Sequence, residues 1–311
     1  MDVIGNHMGG LSRRGFLGGL AGAALLAMSP GLCATPRKPE IGVQLWMLRE
    51  LLAADFEGTL GKLRALGVSQ VEMAGFFGRS AVQLRDSFSA AGLGCPSVHS
   101  LLLHMGDDEV KRQIAFCREL GVKYLVAPMP GLAAAVDESV PLLQRAGASM
   151  KRGYDGDDWR WNVERLNWIG ERVADAGMRF AYHNHNLEFA VLDDDTAMDL
   201  LIRGSDPALV TFELDVGNLV LAGADPLAYL ATYHGRFELA HLKDWQGPLR
   251  PTTQLDYPPS AAFGAGVIDW DALLPALTRA GVKQCFVELE NIEPAVALGE
   301  VERSMMFFAK R

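Results

Sequence analysis

The segment Tyr182–Phe189 holds a dense set of residues able to bind a metal ion or move a proton. It reads Tyr-His-Asn-His-Asn-Leu-Glu-Phe and follows the apolar run of residues 178–181. Alternation along a strand places His183 and His185 on one face. Two imidazoles at a strand end can share a metal ion or a polar ligand, whereas in a core each needs a buried partner. For these two histidines alone, a structural pair and a ligand-binding pair are equally good interpretations.

Similar residues occur at the ends of other apolar runs. They are Gln44, Trp46, Glu72, His99, Glu213, Asp215, His241, Lys243, Glu288 and Glu290. Singly, a carboxylate at a strand end often caps a helix or pairs with an arginine, and that is the better interpretation for Glu72 and Glu290. Together, Asp, His and Glu from three successive strands would form a nitrogen and oxygen site for a divalent ion. Glu213 lies one layer deeper than Asp215, so we expect it to form an ion pair with Lys243.

Short apolar runs alternate with helical patterns from Ile41 onward. We predict eight strands, over residues 41–46, 70–73, 96–99, 124–128, 178–184, 210–215, 238–243 and 284–290. Between them, residues at helical spacing and helix-ending glycines include Val110, Ile114, Cys117, Leu120, Val163, Leu166, Ile169, Val173, Gly67, Gly121, Gly177 and Gly281. Eight strand–helix units over roughly 270 residues predict a (β/α)8 TIM barrel, an α/β fold.

A doubly wound sheet is the alternative architecture. It would need a glycine-rich phosphate turn after the first strand, but Trp46-Met47-Leu48-Arg49-Glu50 follows that strand instead. The longest irregular stretches, residues 129–156 and 244–268, both follow strands, so in a barrel they would lie over the functional mouth. Within the first, residues 132–140 are predicted to form an extra helix stopped by Pro141.

The composition and net charge of the chain indicate which kinds of molecule it can bind. The chain has 311 residues, 49% of them hydrophobic and 22% charged, which is typical of a globular protein. Its formal net charge of −9 argues against a nucleic acid or an anionic membrane, because both require a basic surface. A small-molecule substrate is the better expectation.

Residues 1–34 are predicted to be a twin-arginine export signal. Ser12-Arg13-Arg14-Gly15-Phe16-Leu17 precedes the apolar run 18–28, with small residues near Ala34. That run is shorter than the roughly 20 residues that span a bilayer. We therefore expect a periplasmic protein with one barrel domain over residues 35–311 and no membrane contact beyond the signal.

The cysteines beyond the predicted signal do not indicate a disulfide framework. Cys95, Cys117 and Cys285 would remain after cleavage, an odd and scattered set without metal or redox spacing. Disulfides are therefore not expected to hold the fold, although the destination is oxidising.

Several segments together carry a family resemblance. They are Gly42-Val43-Gln44-Leu45-Trp46, Val71-Glu72-Met73-Ala74-Gly75-Phe76-Phe77-Gly78, Tyr182-His183-Asn184-His185, Phe212-Glu213-Leu214-Asp215, His241-Leu242-Lys243-Asp244, Gly264-Ala265-Gly266-Val267-Ile268-Asp269 and Phe286-Val287-Glu288. Over nearly all of residues 41–310 the chain resembles the xylose isomerase-like barrel superfamily, specifically its sugar phosphate isomerase/epimerase branch.

The resemblance implies one divalent metal ion, Mn, Co, Mg or Zn, held by residues on strands 5 to 8. Asp215, His241 and Glu288 match the ligands on strands 6, 7 and 8. His183 stands where the family usually has Glu, so the fourth ligand is His183, His185 or Glu188.

A further departure concerns proton transfer. The family's usual His after the strand 6 Asp is Asn218 here. A shortened proton-transfer set or a lost activity would follow from this change.

The activity implied is that of an isomerase or epimerase acting through an enediolate on a keto-sugar. The metal would stabilise the developing charge. Glu188, Glu288 or Lys243 would move the proton. The residues expected to bind the sugar are Trp46, Glu72, His99 and His185.

Other functions stay open. One is a lyase that cleaves oxidised glycosides by β-elimination, which export favours slightly because glycosides are met outside the cytoplasm. Another is a non-catalytic, exported sugar-binding barrel with a weakened metal site. A third is an apurinic-site endonuclease of the same superfamily, which would have to bind DNA. The negative net charge of the chain disfavours it. Whether the barrel forms a homodimer, as barrels of this size often do, is left open.

Overall fold

A computed structural model describes residues 37–310, and eight parallel strands in this range close into one barrel. They are β1 (Glu40–Gln44), β2 (Gln70–Ala74), β3 (Gly94–His99), β4 (Tyr124–Ala127), β5 (Arg179–His183), β6 (Val210–Asp215), β7 (Phe237–Leu242) and β8 (Gln284–Val287). Each strand pairs with its neighbours in the chain, and β8 pairs with β1. The predicted (β/α)8 barrel is confirmed. The export signal predicted at residues 1–34 lies outside the described residues.

Helices connect the strands. They are α1 (Arg49–Ala54), α2 (Phe56–Ala65), α3 (Ala81–Ala91), α4 (Asp107–Leu120), α5 (Leu142–Arg152), α6 (Gly156–Asp175), α7 (Ala197–Gly204), α8 (Val216–Leu221), α9 (Pro226–Thr232), α10 (Trp270–Ala280) and α11 (Pro294–Ala309). Within residues 37–310, none is both long and apolar enough to cross a bilayer.

Alternation along the strands separates two cores. Outward residues such as Val43 and Leu125 join the helices in one large apolar core. Inward residues form a separate cluster that fills the barrel: Tyr124, Val126, Ala181, Leu239 and Phe286. A Cβ on Gly42 would lie 2.8 Å from the Phe286 ring, so the missing side chain on β1 makes room for that ring.

The glycines that follow helices have the backbone conformation that the sequence predicts. Gly67, Gly121, Gly177 and Gly281 have φ of 85°, 88°, 80° and 94°. Because only glycine adopts this left-handed region without strain, it ends a helix cleanly. These helix ends are confirmed.

The region around Pro141 differs from its prediction. Residues 132–140 contain no helix, and α5 begins directly after Pro141. The proline has φ of −55°, which suits the first turn of a helix, where its missing N–H needs no partner. Pro141 therefore starts a helix, whereas the sequence analysis expected it to stop one.

The long loop after β7 is attached to the end of β5. Residues Asp244–Trp245 pair with Ser260–Ala261 in a small antiparallel ladder. The Asn186 side-chain amide donates hydrogen bonds to Thr252 O at 2.9 Å and Gln254 O at 2.7 Å. The loop is therefore held at the carboxyl end of the barrel, as predicted for residues 244–268.

Candidate metal centre

Asp215 shows how the local backbone presents a side chain to the barrel mouth. Its N–H donates to Asn184 Oδ1 at 3.0 Å and its carbonyl accepts from Asn184 Nδ2 at 3.3 Å, which links the ends of β5 and β6. Its Oδ1 accepts from the Asn218 N–H at 2.8 Å and caps α8. Asp215 thus uses one oxygen for structure, and Oδ2 remains available to the site.

Four side chains converge beside this oxygen and form what we call the mouth group. His183 ends β5, Asp215 ends β6, His241 lies in β7 and Glu288 directly follows β8. One ligand atom of each lies within 4.8 Å of those of the others. His241 Nδ1 is 2.9 Å from Glu288 Oε2, and His183 Nε2 is 3.4 Å from Asp215 Oδ2. The structure brings together the four residues predicted as metal ligands.

Unpaired buried atoms in the mouth group test whether a metal ion fits. Oδ2 of Asp215 is buried and faces Lys243 Nζ at 2.9 Å, while both ring nitrogens of His183 are buried and make no hydrogen bond within residues 37–310. Each such atom costs about 1–3 kcal/mol when left unpaired. A divalent ion would bind one ring nitrogen of His183 together with Asp215 Oδ2, and a mixed imidazole and carboxylate set suits first-row divalent ions. The residues therefore fit a metal ion.

Lys243 is fully buried beside the mouth group. Its Nζ lies 2.9 Å from Asp215 Oδ2, 2.9 Å from Glu288 Oε2 and 2.8 Å from Glu290 Oε1. Burial acts to lower its pKa, but these carboxylates outweigh burial and hold the pKa well above its ordinary value. Lys243 is therefore an ammonium ion at neutral pH.

The predicted ion pair between Glu213 and Lys243 is wrong. In the register of β6 and β7, Glu213 lies opposite Leu239 and Asp215 opposite His241. Because side chains of one face recur at every second residue, Lys243 projects one layer above Asp215 and two layers above Glu213. Lys243 meets the upper carboxylates instead.

Glu213 belongs to a second cluster beneath the mouth group, which we call the lower group. Its members are Glu72, His99, Glu213 and His241, again with ligand atoms within 4.8 Å of one another. His99 Nε2 lies 2.7 Å from Glu213 Oε2 and 3.1 Å from Glu72 Oε2. His241 Nε2 lies 2.7 Å from Glu72 Oε2 and 3.3 Å from Glu213 Oε2. His241 thus belongs to both groups, with one nitrogen in each.

Two predicted substrate contacts, Glu72 and His99, lie in the lower group. Glu72 is fully buried and also accepts hydrogen bonds from Gln44 Nε2 at 3.0 Å and Ser97 Oγ at 2.5 Å. His99 keeps 10% of its side chain exposed. Burial acts to lower its pKa, but the neighbouring carboxylates raise the pKa of His99 to about 9. Only His99 of this pair reaches the accessible surface.

His185 is half-buried at the mouth, with its ring centre 4.9 Å from that of His183. Its Nδ1 is buried and makes no hydrogen bond to the described part of the chain. Burial, together with the charges of His183 and Lys243, lowers the pKa of His185 well below its ordinary value. The ring is therefore neutral at physiological pH, so it can accept a proton.

Glu188 lies outside both groups. Its carboxylate accepts hydrogen bonds from Tyr182 Oη at 2.6 Å and from the His185 N–H at 2.8 Å. Burial raises the pKa of Glu188 to about 7, although both hydrogen bonds act to lower it. The structure thus gives this residue a position that supports the backbone of His185.

Aromatic residues surround the mouth. Trp46 is 43% exposed, and its ring faces the Arg49 guanidinium at 4.5 Å. Trp245 and Tyr257 stack with ring centres 5.7 Å apart, and Lys243 Nζ lies 5.9 Å from each ring centre. This aromatic pair is not among the site residues predicted from the sequence. The available signal was aromatic residues in a long loop that begins directly after Lys243.

A comparison with protein family profiles shows which family the chain belongs to. The profile of the xylose isomerase-like TIM barrel family matches residues 60–310. The chain belongs to this family. Among curated relatives, the inosose dehydratase of Geobacillus thermodenitrificans (strain NG80-2) is 26% identical over 257 residues, which cover 78% of this chain and 84% of the relative.

Solved structures share the fold of this xylose isomerase-like barrel. A sugar phosphate isomerase/epimerase from Parabacteroides distasonis ATCC 8503 superposes with a TM-score of 0.70 at 23% identity, covering 88% of this chain and 98% of the other. The IolI protein, solved with a bound zinc atom, gives a TM-score of 0.62 at 16% identity, covering 87% and 97%. At these identities the likeness concerns the fold.

Proposed function

We propose that this chain is a divalent-metal-dependent lyase that eliminates water or another group from a polyhydroxylated ketone by way of an enolate. The observation that carries the proposal is the mouth group, whose four ligand atoms converge within 4.8 Å and include unpaired buried donors. A divalent ion bound there would stabilise the negative charge that develops on the enolate oxygen.

Beside the mouth group, His185 can act as a base and Lys243 can act as an acid. The pKa of His185 is lowered and that of Lys243 is raised, which is the pattern of a base and an acid held in one site. The neutral imidazole accepts the proton from the carbon beside the ketone. The C–O bond at the next carbon then breaks, and the ammonium donates the proton with which the hydroxyl leaves as water.

Lys243 also favours elimination over isomerisation. An isomerase or epimerase, the activity expected from the sequence, shares the first step but returns the proton to carbon, so it needs no separate acid for a leaving group. The relatives named inosose dehydratase, at 24–26% identity, support elimination as well. Isomerisation or epimerisation is the second candidate, because it shares the first proton transfer and the same ion.

The residues at the rim would bind the substrate. Trp46 offers an exposed apolar ring against which the face of a sugar or cyclitol can pack. His99 keeps part of its ring exposed, and the ring nitrogen that does not face the carboxylates can donate a hydrogen bond to a substrate hydroxyl. Both contacts suit a neutral, hydroxyl-rich molecule.

The test uses purified protein loaded with Mn²⁺ or Co²⁺ and a panel of keto-sugars, keto-glycosides and keto-cyclitols in D₂O, followed by NMR. We expect an unsaturated product with at least one substrate, and His185→Gln is expected to lose most of the activity. His234→Gln, at an exposed histidine, is the matched control. Deuterium exchange without elimination would favour the isomerase or epimerase. With neither reaction, an ion-free protein by elemental analysis would indicate a sugar-binding barrel.

We also propose that residues 1–34 direct the protein to the periplasm by the twin-arginine route. The support is the Arg13-Arg14 pair before the apolar run 18–28. The Arg13→Lys, Arg14→Lys variant is expected to stay in the cytoplasm at full length, as seen by cell fractionation and mass spectrometry. Arg37→Lys, which lies beyond the predicted signal, is the control and should be exported like the wild type.

A further inference from the structure

Hydrogen bonds between the members of the lower group cannot account for all four of the close contacts among them. Its atoms alternate as nitrogen, oxygen, nitrogen and oxygen, with four contacts of 2.7 to 3.3 Å between the Nε2 atoms of His99 and His241 and the Oε2 atoms of Glu72 and Glu213. Each ring nitrogen carries at most one proton, yet each faces two carboxylate oxygens. One N–H can point along only one of those contacts.

Glu213 gives an independent indication of a ligand site. The residue is fully buried, and its Oε1 has no hydrogen-bond partner among residues 37–310. The carboxylate of Glu72 lies in the same cluster and is also fully buried. Two neighbouring carboxylates away from water need positive charge close to them, and His99 and His241 face only their Oε2 atoms.

We propose that the lower group binds a second divalent cation, distinct from an ion in the mouth group. The ligands would be Nε2 of His99, Nε2 of His241 and one oxygen each from Glu72 and Glu213. Two imidazoles with two carboxylates form a neutral four-ligand site for Zn²⁺ or a similar first-row ion. The ion would contact all four facing atoms at once, and its two positive charges would balance the two carboxylates.

His241 couples this site to the mouth group. Its Nε2 faces the lower group, while its Nδ1 lies 2.9 Å from Glu288 Oε2 in the mouth group. With the mouth group alone occupied, the Nε2–H donates to Glu72 and orients the ring. With both sites occupied, Nε2 would bind the ion of the lower group and Nδ1 that of the mouth group, so the ring would have to release its remaining proton to solvent. His99 is partly exposed and offers the ion a path of entry.

The experiment counts ions. Purified protein is loaded with Zn²⁺ or Co²⁺, freed of loosely held metal and measured by elemental analysis. We expect two ions per wild-type chain and one in Glu213→Gln and in His99→Gln. Asp215→Asn, which changes only the mouth group, should also keep one. The loss of one ion in Glu213→Gln and His99→Gln depends neither on a reaction nor on an ion in the mouth group, so failure of the proposed function would leave this difference unchanged.

Matched variants separate ion binding from a structural role. Glu238→Gln removes a half-buried carboxylate from the amino-terminal half of β7, where it pairs with Arg179 and Lys283, and should keep two ions. Glu213→Asp keeps a carboxylate and should recover part of the second ion, while circular dichroism monitors folding. The proposal is overturned if Glu213→Gln and His99→Gln hold as many ions as wild type, whether wild type holds one ion or two.

Discussion

His183 gives the mouth group an uncharged ligand on β5. The group therefore has two carboxylates, from Asp215 and Glu288, and two imidazoles, from His183 and His241. Imidazole is a softer ligand than carboxylate and suits Zn²⁺ better than Mn²⁺ or Mg²⁺. Because both ring nitrogens of His183 lack hydrogen-bond partners within the described chain, replacing the ring should break no other contact of this kind.

Replacing this imidazole by a carboxylate should change the metal preference. In His183→Glu, the ratio of the Mn²⁺ to the Zn²⁺ dissociation constant is expected to fall roughly tenfold, since the harder oxygen ligand favours Mn²⁺. Competition with a chelating dye measures both constants. His185→Glu adds the same charge beside the group, outside the ligand set, and should leave the ratio unchanged. Equal shifts in the two variants would contradict the assignment of His183 as a ligand.

Glu188 should make the stability of the fold depend on pH. Its pKa is raised by burial from about 4.5 to about 7, so the folded state holds a proton that the unfolded state has already lost. As pH rises from about 4.5 to about 7, wild type should lose roughly 3 kcal/mol of unfolding free energy relative to Glu188→Gln. Urea unfolding of both proteins across this range measures the difference.

Glu238 is a control for which the opposite dependence of stability on pH is expected. The pKa of Glu238 is lowered, because its hydrogen bonds and the charges of Lys283 and Arg179 outweigh burial. Its stabilising contribution is therefore present at neutral pH and is lost as pH falls, so wild type should gain relative to Glu238→Gln as pH rises. Parallel stability curves for wild type and Glu188→Gln would show that Glu188 titrates normally.

Among the elements, the loop of residues 244–268 is attached to the end of β5 by hydrogen bonds from one side chain of the described residues, that of Asn186. The Asn186 amide donates to two loop carbonyls, those of Thr252 and Gln254. In Asn186→Ala we expect faster amide hydrogen exchange in residues 246–259 and a higher KM, with little change in the rest of the barrel. Hydrogen-exchange mass spectrometry resolves the loop.

Asn167→Ala is the matched control for this prediction. Asn167 also contacts two backbone groups, Gly204 O at 3.2 Å and the Asp206 N–H at 2.7 Å, but it joins α6 to the segment after α7. Its loss should leave exchange in residues 246–259 unchanged. Faster exchange there in both variants would mean that the loop responds to general destabilisation.

The sequence predicts elements well where a local pattern determines them. All eight strands and the helix-ending glycines are confirmed, because strand patterns and left-handed φ angles are local properties. Pro141 shows the limit. A proline suits both the position after a helix and its first turn, and only the packing of α5 distinguishes the two.

At the scale of the whole molecule, the barrel brings together residues that are distant in the chain. His99 and Glu213, 114 residues apart, meet across the barrel at 2.7 Å. The sequence shows that both lie at strand ends, but not which inward side chains face each other, since this depends on the stagger of strands around the closed barrel. For this reason the mouth group was predicted and the lower group was not.

The closed barrel also links metal binding to global stability. The mouth group takes one ligand from each of β5, β6 and β7 and one from the residue after β8, so an ion there would connect half of the barrel. An ion at about 100 times its dissociation constant should stabilise the folded state by about 2.7 kcal/mol. For a domain of this size we expect melting to rise by roughly 5–10 °C over protein treated with chelator.

Differential scanning calorimetry with Mn²⁺, with Zn²⁺ and with chelator measures this shift. Asp215→Asn should melt with a smaller metal-induced shift than wild type, because it weakens the mouth group while its amide oxygen can still accept the Asn218 N–H at the start of α8. Asp225→Asn changes another helix-capping aspartate, at α9, and should keep the full shift. If the metal raised the melting temperature of wild type and Asp215→Asn equally, the stabilising ion would lie outside the mouth group. If the metal did not raise the melting temperature of wild type at all, the proposed ion in the mouth group would be contradicted.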